Sequence, residues 1–213
     1  GVRSLAALAE GDVALVSDAG TPTINDPGYE LVKAALLAGH IIYPIPGPSA
    51  PVAALAASGL ATDSFLYLGY LPRKSSERQA LAGRVASLPY TLIFLESPHR
   101  LLAALKDLEF CLGDRQIAVA RELTKVHEEI WRGKISAAIE HFTQNEPRGE
   151  FTLVVAGKTK SEKQKWTEEK VIIAVKFGLK FGESPSALAK RVAQESGWER
   201  QEIYKLATSF QQR

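Results

Sequence analysis

Short apolar runs alternate with amphipathic helical patterns through most of the chain. Residues 13–16 and 41–45 are apolar runs of strand length, and the pattern over residues 29–38 predicts a helix that ends at Gly39. A strand–helix–strand unit implies parallel strands, and ligands of such sheets bind beyond the carboxyl ends of the strands. We therefore expect the loops that follow these two strands to be functional.

The same alternation continues beyond a third apolar run at residues 65–71. Helical patterns occupy residues 50–58, 76–86, 99–108 and 135–142, and further strands are predicted at 91–96, 116–122 and 150–157, with a short segment at 129–131. The pattern predicts an α/β fold with an N-terminal domain over residues 1–70 and a second α/β domain, whose sheet can be mixed, over residues 71–158.

A Lys-rich polar run, KTKSEKQKW, interrupts this alternation and predicts a linker at residues 159–166. Helical patterns at residues 168–181, 186–197 and 199–210 follow it and predict a small helical module over residues 167–213. A docking module with a solvated basic face and a nucleic-acid-binding module are both compatible with this pattern.

Composition restricts the class of protein only weakly. The 213 residues carry a net charge of +2, so any basic surface must be local. A lone cysteine, Cys111, indicates a reducing cytoplasm, and no apolar run is long enough to cross a membrane. The chain begins at Gly1 and contains no methionine, so we expect it to be part of a longer protein.

Polar and conformationally special residues follow both N-terminal strands. Asp18 and Thr21 lie in SDAGTP after the first run, and Ser49 lies in PGPSA after the second. A carboxylate beside free backbone NH groups suits the hydroxyls of a nucleoside, whereas the Lys of a phosphate-binding P-loop and the glycine spacing of a dinucleotide site are absent. Each loop alone is more simply explained by turn formation or helix capping, but their succession favours a ligand site.

Five motifs in order along the chain resemble one family. They are SDAGTPTINDPGYELV, IPGPSAPVAALAASGL, FLYLGYLPRK, TLIFLESPHRLL and AVARELTKVHEE. Together they resemble the small-subunit ribosomal RNA cytidine 2'-O-methyltransferases of the tetrapyrrole methylase superfamily, over about residues 13–157. The helical tail matches an extra C-terminal domain that many members carry.

The resemblance implies two α/β domains of the tetrapyrrole methylase type with S-adenosylmethionine in the cleft between them. It also implies a homodimer that methylates the ribose of a cytidine in the decoding region of 16S rRNA, in the small ribosomal subunit. The first strand of the family and its Gly-containing loop would precede Gly1, so we expect the N-terminal strand or strands to be missing here and the cofactor site to be incomplete.

Carried over by position, the resemblance assigns cofactor contacts to both loops and to three later strands. The positions are Asp18, Thr21, Ser49, Ala50, Leu95, Ala120 and Phe151. For the last three, a plain core role explains the residues equally well. A sulfonium carries its own activation, so we expect no metal, and no His or Cys cluster with ligand spacing appears.

Methyl transfer to a ribose hydroxyl needs an in-line approach and a group that removes or relays the hydroxyl proton. Polar candidates lie where the resemblance is densest: Glu96, His99, Arg100, Arg121, Glu122, Thr124, Lys125 and Glu128. We rank Glu96, Arg121 and Lys125 first as catalytic residues. Three of the eight candidates have structural alternatives: His99 suits a helix start on the surface, and Arg121 and Glu122 suit a structural ion pair across the domain interface.

Basic residues near the predicted cleft supply candidate RNA contacts, because phosphates provide most sequence-independent affinity. They are Arg73, Lys74, Arg78 and Arg100, of which Arg78 suits a solvated helix face equally well. The sequence thus favours a cytoplasmic ribosomal RNA methyltransferase. A relative that acts on a tetrapyrrole or another small acceptor is the alternative enzyme, and a nucleic-acid-binding protein built around the tail is the non-enzymatic alternative.

Overall fold

The computed structural model describes residues 6–8, 10–159 and 166–211. Backbone contacts divide the chain into two compact units, Gly1–Lys158 and Thr159–Arg213. The further division of the first unit into two α/β domains at residue 70 stays a prediction. Within the described part of the chain, no helix is long and apolar enough to cross a bilayer.

The first unit is an α/β structure, as the sequence predicts. Its elements are α1 (Tyr29–Leu37), α2 (Ala50–Ser58), β1 (Phe65–Tyr70), α3 (Ser75–Val85), β2 (Thr91–Glu96), α4 (Leu101–Leu112), β3 (Gln116–Arg121), β4 (Glu129–Lys134), α5 (Ile135–Gln144) and β5 (Phe151–Val155). A 3-10 turn at Pro98–Arg100 leads into α4.

The five strands form one mixed sheet in the order β1-β2-β5-β3-β4. β1 and β2 are parallel, whereas β5 is antiparallel to both β2 and β3, and β4 is antiparallel to β3. The carboxyl ends of β1, β2 and β3 therefore meet the amino ends of β4 and β5 at one edge of the sheet. We call this edge the carboxyl edge.

The two faces of the sheet pack against different helices. One face, here called the α4 face, carries Phe94, Val119 and Leu153 in a core that includes α3, α4 and α5. The other, the α2 face, carries Ile93, Ala118 and Val154 against Ala54 and Leu55 of α2. Because side chains alternate between faces along a strand, these neighbours fix the direction of every other side chain on β2, β3 and β5.

The predicted N-terminal strands do not form in the structure. No described strand pairs with residues 13–16 or 41–45, and the apolar side chains of Val16, Ile41 and Ile45 are exposed. An extended segment becomes a strand only when a neighbour completes its hydrogen-bond ladder. The strand prediction at these two sites was therefore wrong for the chain as it stands, whereas the helix between them forms as predicted.

The Asn-Asp-Pro-Gly turn anchors the first loop to the sheet. The Tyr67 hydroxyl of β1 donates a hydrogen bond to Asn25 Oδ1. Gly69, with a φ of 67°, lies so close to Asn25 that an added Cβ would come within 2.9 Å of its Nδ2 atom. Burial raises the pKa of Tyr67, and the nearby Tyr70 adds to this effect. The turn therefore needs both a small residue at position 69 and the tyrosine at position 67.

The second unit is a three-helix module, as the sequence predicts. Its helices are α6 (Glu168–Lys180), α7 (Pro185–Ser196) and α8 (Arg200–Gln211). Thr167 and Ser184 cap α6 and α7 through their hydroxyls, and Gly197 ends α7 in the left-handed conformation. Among the described residues of this unit, seven fully buried apolar side chains form a core of its own, and they include Val175 and Leu188.

Candidate cofactor and RNA site

The two N-terminal loops meet in the structure. Thr21 Oγ1 donates a hydrogen bond of 2.9 Å to the carbonyl oxygen of Pro48 across 27 positions of sequence. Ser49 is the N-cap residue of α2, but its hydroxyl makes no capping hydrogen bond. Asp18 is exposed on the first loop, and Ala50 is exposed as the first residue of α2. Four of the predicted cofactor residues therefore lie on two adjoining loops and the helix start that follows the second.

Leu95 and Ala120 face the helix that carries this second loop. Both residues pair in register with Thr152 of β5, on the α2 face of the sheet. Ala120 lies in the same core cluster as Ala54 of α2. Thr152 is a buried polar residue that the sequence analysis missed. Only the antiparallel pairing of β5 with both neighbours places its side chain between the two predicted wall residues.

Phe151 does not share this face. It pairs with Glu96 and Arg121, and its ring packs edge-on against Phe142 of α5 with centroids 5.7 Å apart. The residue is buried in the core of the α4 face. Its predicted role as a cofactor wall is therefore replaced by a core role, because alternation along β5 turns Thr152 toward α2 instead.

Glu96 is buried, with 1% of its surface exposed. Its Oε1 atom accepts a hydrogen bond of 2.7 Å from the backbone NH of Ser97 and forms an ion pair with Arg100. The Oε2 atom has no hydrogen-bond partner among the described residues. A carboxylate held in this way positions Arg100 and does not itself lie open to a ribose.

Arg100 connects the ends of the two parallel strands. Besides the ion pair with Glu96, its Nε atom donates to Ser97 Oγ at 3.1 Å and its Nη1 atom donates to the carbonyl oxygen of Leu71 at 3.3 Å. The neighbouring His99 is exposed. The guanidinium therefore fixes the 3-10 turn against the chain that leaves β1, at the carboxyl edge.

Arg121 forms an ion pair, which is the structural alternative to a catalytic role. Its Nη2 atom lies 2.8 Å from Glu129 Oε2 on the neighbouring strand β4. Its Nε atom is buried and has no hydrogen-bond partner within the described part of the chain. Arg121 thus pairs with Glu129 across β3 and β4, whereas Glu122 forms an ion pair with Lys125.

Glu122 holds Lys125 in the loop between β3 and β4. Lys125 Nζ lies 2.9 Å from Glu122 Oε1 and 3.4 Å from Glu150 Oε2, and Glu122 Oε1 also accepts from the backbone NH of Glu150 at 3.0 Å. The hydrogen bond to Glu122 raises the pKa of Lys125, and Glu150 adds to this. Lys125 therefore stays a cation at neutral pH, with half of its side chain exposed.

The same loop contains two strained backbone positions. Glu122 and Thr124 have φ values of 50° and 68°, in the left-handed region that non-glycine residues rarely adopt. Gly149, at a φ of 83°, packs against the Glu122 side chain, where an added Cβ would collide with it. Glu128 Oε2 accepts a hydrogen bond from the backbone NH of Thr124. These contacts give the Lys125 loop one defined shape.

The four predicted RNA-binding residues separate into two groups, two that are exposed and two, Arg78 and Arg100, that are engaged by partners within the protein, Arg100 by Glu96, Ser97 and Leu71. Arg73 and Lys74 are exposed beyond the end of β1, and Lys74 pairs with Glu77 at 3.3 Å. Arg78 is buried, and its guanidinium donates to Asp107 and to the carbonyl oxygens of Pro72 and Arg73. Its donors are committed inside the protein, so Arg78 is a structural residue and we remove it from the RNA-binding set.

A cavity of about 600 Å³ opens at the carboxyl edge on the α4 face. Its lining includes Arg121, His127, Glu129, His141, Asn145 and Arg148. The cavity lies between the β3–β4 loop and the end of α5, on the side of the sheet opposite Leu95 and Ala120. Over the described residues, no group of His, Cys, Asp and Glu side chains could hold a metal ion.

Comparisons with known proteins identify the family of this chain. The family of tetrapyrrole (corrin/porphyrin) methylases matches residues 2–139. The protein named ribosomal RNA small subunit methyltransferase I from Synechocystis sp. is 45% identical over 201 residues, 94% of this chain and 72% of its own length. Its namesake from Halalkalibacterium halodurans is 40% identical over 97% of this chain and 73% of its own length.

A solved structure supports the fold. The crystal structure of the methyltransferase CobJ has a TM-score of 0.56 and 21% identity, and the match covers 78% of this chain and 72% of that one. An identity this low carries the architecture alone. Together with the sequence match over most of the first unit, it confirms the predicted α/β fold. The chain belongs to the tetrapyrrole methylase family.

Proposed function

We propose that this chain is an S-adenosylmethionine-dependent methyltransferase that 2'-O-methylates the ribose of a cytidine in the decoding region of small-subunit 16S rRNA. Relatives at 40–45% identity over more than nine-tenths of the chain bear the name of a small-subunit ribosomal RNA methyltransferase, which supports the substrate class. The structural observation that carries the proposal is the junction of the two polar loops by Thr21 and Pro48 beside the α2 face.

The residues on these loops fit an S-adenosyl group. The Asp18 carboxylate is exposed and suits ribose hydroxyls, and the Ser49 hydroxyl is not used in capping its helix. Leu95, which is half-buried, offers an apolar contact on the face toward α2, whereas Ala120 and Thr152 are buried on the same face. Such a set of a few polar groups on an apolar wall is typical of cofactor sites.

When bound, the sulfonium supplies an activated methyl group. The chain must then hold the ribose hydroxyl in line and stabilise negative charge on its oxygen. Lys125 is suited to the second task, because Glu122 and Glu150 keep its amine protonated and fixed in place. The same protonation excludes Lys125 as the group that takes the hydroxyl proton, which therefore passes to solvent water as the new carbon–oxygen bond forms and the carbon–sulfur bond breaks. Glu96 acts through Arg100, which ties the ends of β1 and β2 together.

An RNA acceptor, in preference to a tetrapyrrole or another small acceptor, is supported by the exposed cations beyond β1. Arg73 and Lys74 are exposed at the carboxyl edge, and the surface ion pair of Lys74 with Glu77 is of the weak kind. Phosphate contacts from such side chains release counterions, so they give binding a measurable salt dependence.

The experiment that tests the RNA acceptor is therefore a salt titration. Arg73→Ala combined with Lys74→Ala should reduce the slope of log affinity for small ribosomal subunits against log salt by roughly two units, with cofactor binding unchanged. Arg84→Ala combined with Lys106→Ala removes the same charge from exposed positions on α3 and α4 and serves as the control. Equal slopes for the two double variants would show that Arg73 and Lys74 are solvated surface residues that make no contact with RNA phosphates.

We extend the proposal to a cytoplasmic homodimer that acts on the assembled small subunit. Large apolar side chains are exposed in the N-terminal segment, including Ile41, Tyr43 and Ile45, and they suit burial against a second copy. Sedimentation equilibrium tests the dimer directly. The three-helix module is proposed to help the enzyme dock on the ribosome, because its core is separate from that of the first unit.

A further inference from the structure

The cavity at the carboxyl edge is not part of the proposed cofactor site, because it opens on the other face of the sheet. Three segments build it: the end of β3, which contributes Arg121, the β3–β4 loop, which contributes His127, and the end of α5 with the chain beyond it, which contributes His141, Asn145 and Arg148. Its volume of about 600 Å³ falls within the range of small-molecule sites. At the carboxyl edge, only the thickness of the single sheet separates this cavity from the α2 face.

The charges around the cavity argue against a phosphate. Arg121 is paired with Glu129 at 2.8 Å, and Arg148 is paired with Glu146 at 2.8 Å. Glu128 adds a third carboxylate to the lining, so the carboxylates outnumber the guanidiniums. A phosphate would meet no net positive charge here, whereas a neutral ligand with donors and acceptors on its rim would meet partners of both kinds.

The remaining features of the cavity fit a planar heterocycle. His141 and Phe142 are among the lining residues, and the His141 ring stacks on Trp131 with centroids 5.6 Å apart. The Arg121 Nε atom is buried beside the cavity without a hydrogen-bond partner among the described residues. Carboxylates accept from exocyclic amines, and guanidinium and amide groups donate to ring nitrogens and carbonyls, which is the chemistry of base edges.

We propose that this cavity binds the base of an unpaired RNA nucleotide next to the one that is methylated. The inference rests on the proposed function and adds a reading site to it. Sequence-specific RNA recognition commonly splays out single-stranded bases and reads their edges in pockets. A strand that crosses the carboxyl edge can place one ribose on the α2 face and the neighbouring base in the cavity on the α4 face.

A pair of adjacent substitutions tests the pocket. His127→Trp places a bulky ring in the cavity from an exposed loop position, whereas Val126→Trp, at a site that is 95% exposed, puts the same ring outside it. Both variants are compared with the unmodified protein for methyl transfer to small ribosomal subunits, for the salt dependence of subunit binding and for cofactor affinity.

We expect His127→Trp to raise KM for the subunit by about tenfold or more, since a base contact of this kind is worth on the order of 1–3 kcal/mol. The salt slope and cofactor affinity should stay unchanged, and Val126→Trp should behave like the unmodified protein. Asn145→Ala, which removes an amide from the lining, should raise KM in the same direction.

Any one of three results would contradict the proposal that the cavity binds an RNA base. His127→Trp and Val126→Trp could behave alike, the salt slope could fall by about one unit as for a phosphate contact, or cofactor binding could be lost with His127→Trp. An unmodified protein that transfers no methyl group to the subunit would instead overturn the proposed function, and the pocket with it. Activity of the unmodified protein thus separates the two failures.

Discussion

The hydroxyl of Thr21 donates a hydrogen bond to the carbonyl oxygen of Pro48, 2.9 Å away and 27 residues further along the chain. This bond joins the loop that carries Asp18 to the loop that carries Ser49, although neither of the preceding apolar runs forms a strand in the described chain. The opposite end of the first loop is fixed separately by the Asn25 contacts to β1. From the sequence, each loop alone is most simply explained as a turn or a helix cap. In the structure, the Thr21 hydrogen bond joins the two loops.

Replacing Thr21 by Val should weaken cofactor binding by about fivefold, because the lost hydrogen bond contributes on the order of 1 kcal/mol and the loops would separate. Isothermal titration with S-adenosylmethionine measures this change. Thr62→Val, at an exposed threonine before β1, is the matched control. Equal affinities for the two variants would show that the loop junction is not part of the cofactor site.

Lys125→Met should lower kcat for methyl transfer on the order of 100-fold, because it removes a fixed positive charge while keeping the length of the side chain. Lys125→Arg should retain most of the activity. The pKa of Lys125 is raised, so its charge is present at all pH values below the ordinary lysine range. Rapid-quench single-turnover assays between pH 7 and 9 should therefore show no fall in the rate of methyl transfer that is caused by deprotonation of Lys125.

Full activity of Lys125→Met would remove Lys125 from the reaction and leave it as a loop residue. A matched change, Lys106→Met on the exposed side of α4, controls for the loss of one surface charge. Cofactor affinity should be the same in all three variants, because Lys125 is not on either cofactor loop.

The buried pair of Arg78 and Asp107 should dominate the stability of the α3–α4 contact. Asp107→Ala leaves the Arg78 guanidinium buried without a charge partner, which should lower the free energy of unfolding by about 3 kcal/mol at pH 7. Asp63→Ala, at an exposed site, is the control. Urea unfolding of both variants at several pH values measures the difference.

The pH dependence of this effect has a defined sign. Burial alone would raise the pKa of Asp107, but hydrogen bonds from Gln79, Ser75 and Arg78 outweigh it, so the pKa lies below the usual range. The contribution is therefore complete above the unfolded pKa of about 4 and is lost as the pH falls through the folded pKa. A stability difference that is unchanged at pH 3 would contradict the ion pair as its source.

How far the sequence predicts the structure depends on how local the deciding contacts are. The run at residues 91–96 becomes β2 with the predicted bounds, since an apolar strand buried on both faces is marked by its own residues. Ser49 at the start of α2 and the three tail helices are likewise local patterns. The sequence also gives the ranges of the second half of the sheet to within a few residues.

Contacts that depend on distant partners were not predictable. The sequence around Arg78 shows only a basic residue near the predicted cleft, because the partner that buries it, Asp107, lies 29 residues away on another helix. The sequence does not decide between a cofactor wall and a core role for Phe151, because the register of β5, which turns Thr152 toward α2, is set by pairing with two other strands. The cavity beside His127 depends on three separate segments and had no signal in the sequence.

Ending the chain after Lys160 tests the role of the helical module. The first unit should keep its secondary structure and its cofactor affinity, because the module packs its own core around residues such as Val171 and Val192. Affinity for the small ribosomal subunit should fall by at least about tenfold when one of two linked binding modules is removed. Loss of cofactor binding in the shortened protein would contradict a docking role.

The most direct test of the function is to incubate purified small ribosomal subunits with the protein and methyl-labelled S-adenosylmethionine, and then to map the label on the RNA. We predict stoichiometric labelling of one cytidine of 16S rRNA in the decoding region, at the 2'-oxygen of its ribose. Label on a base or at no RNA position, or transfer to a tetrapyrrole and not to the subunit, would contradict the account.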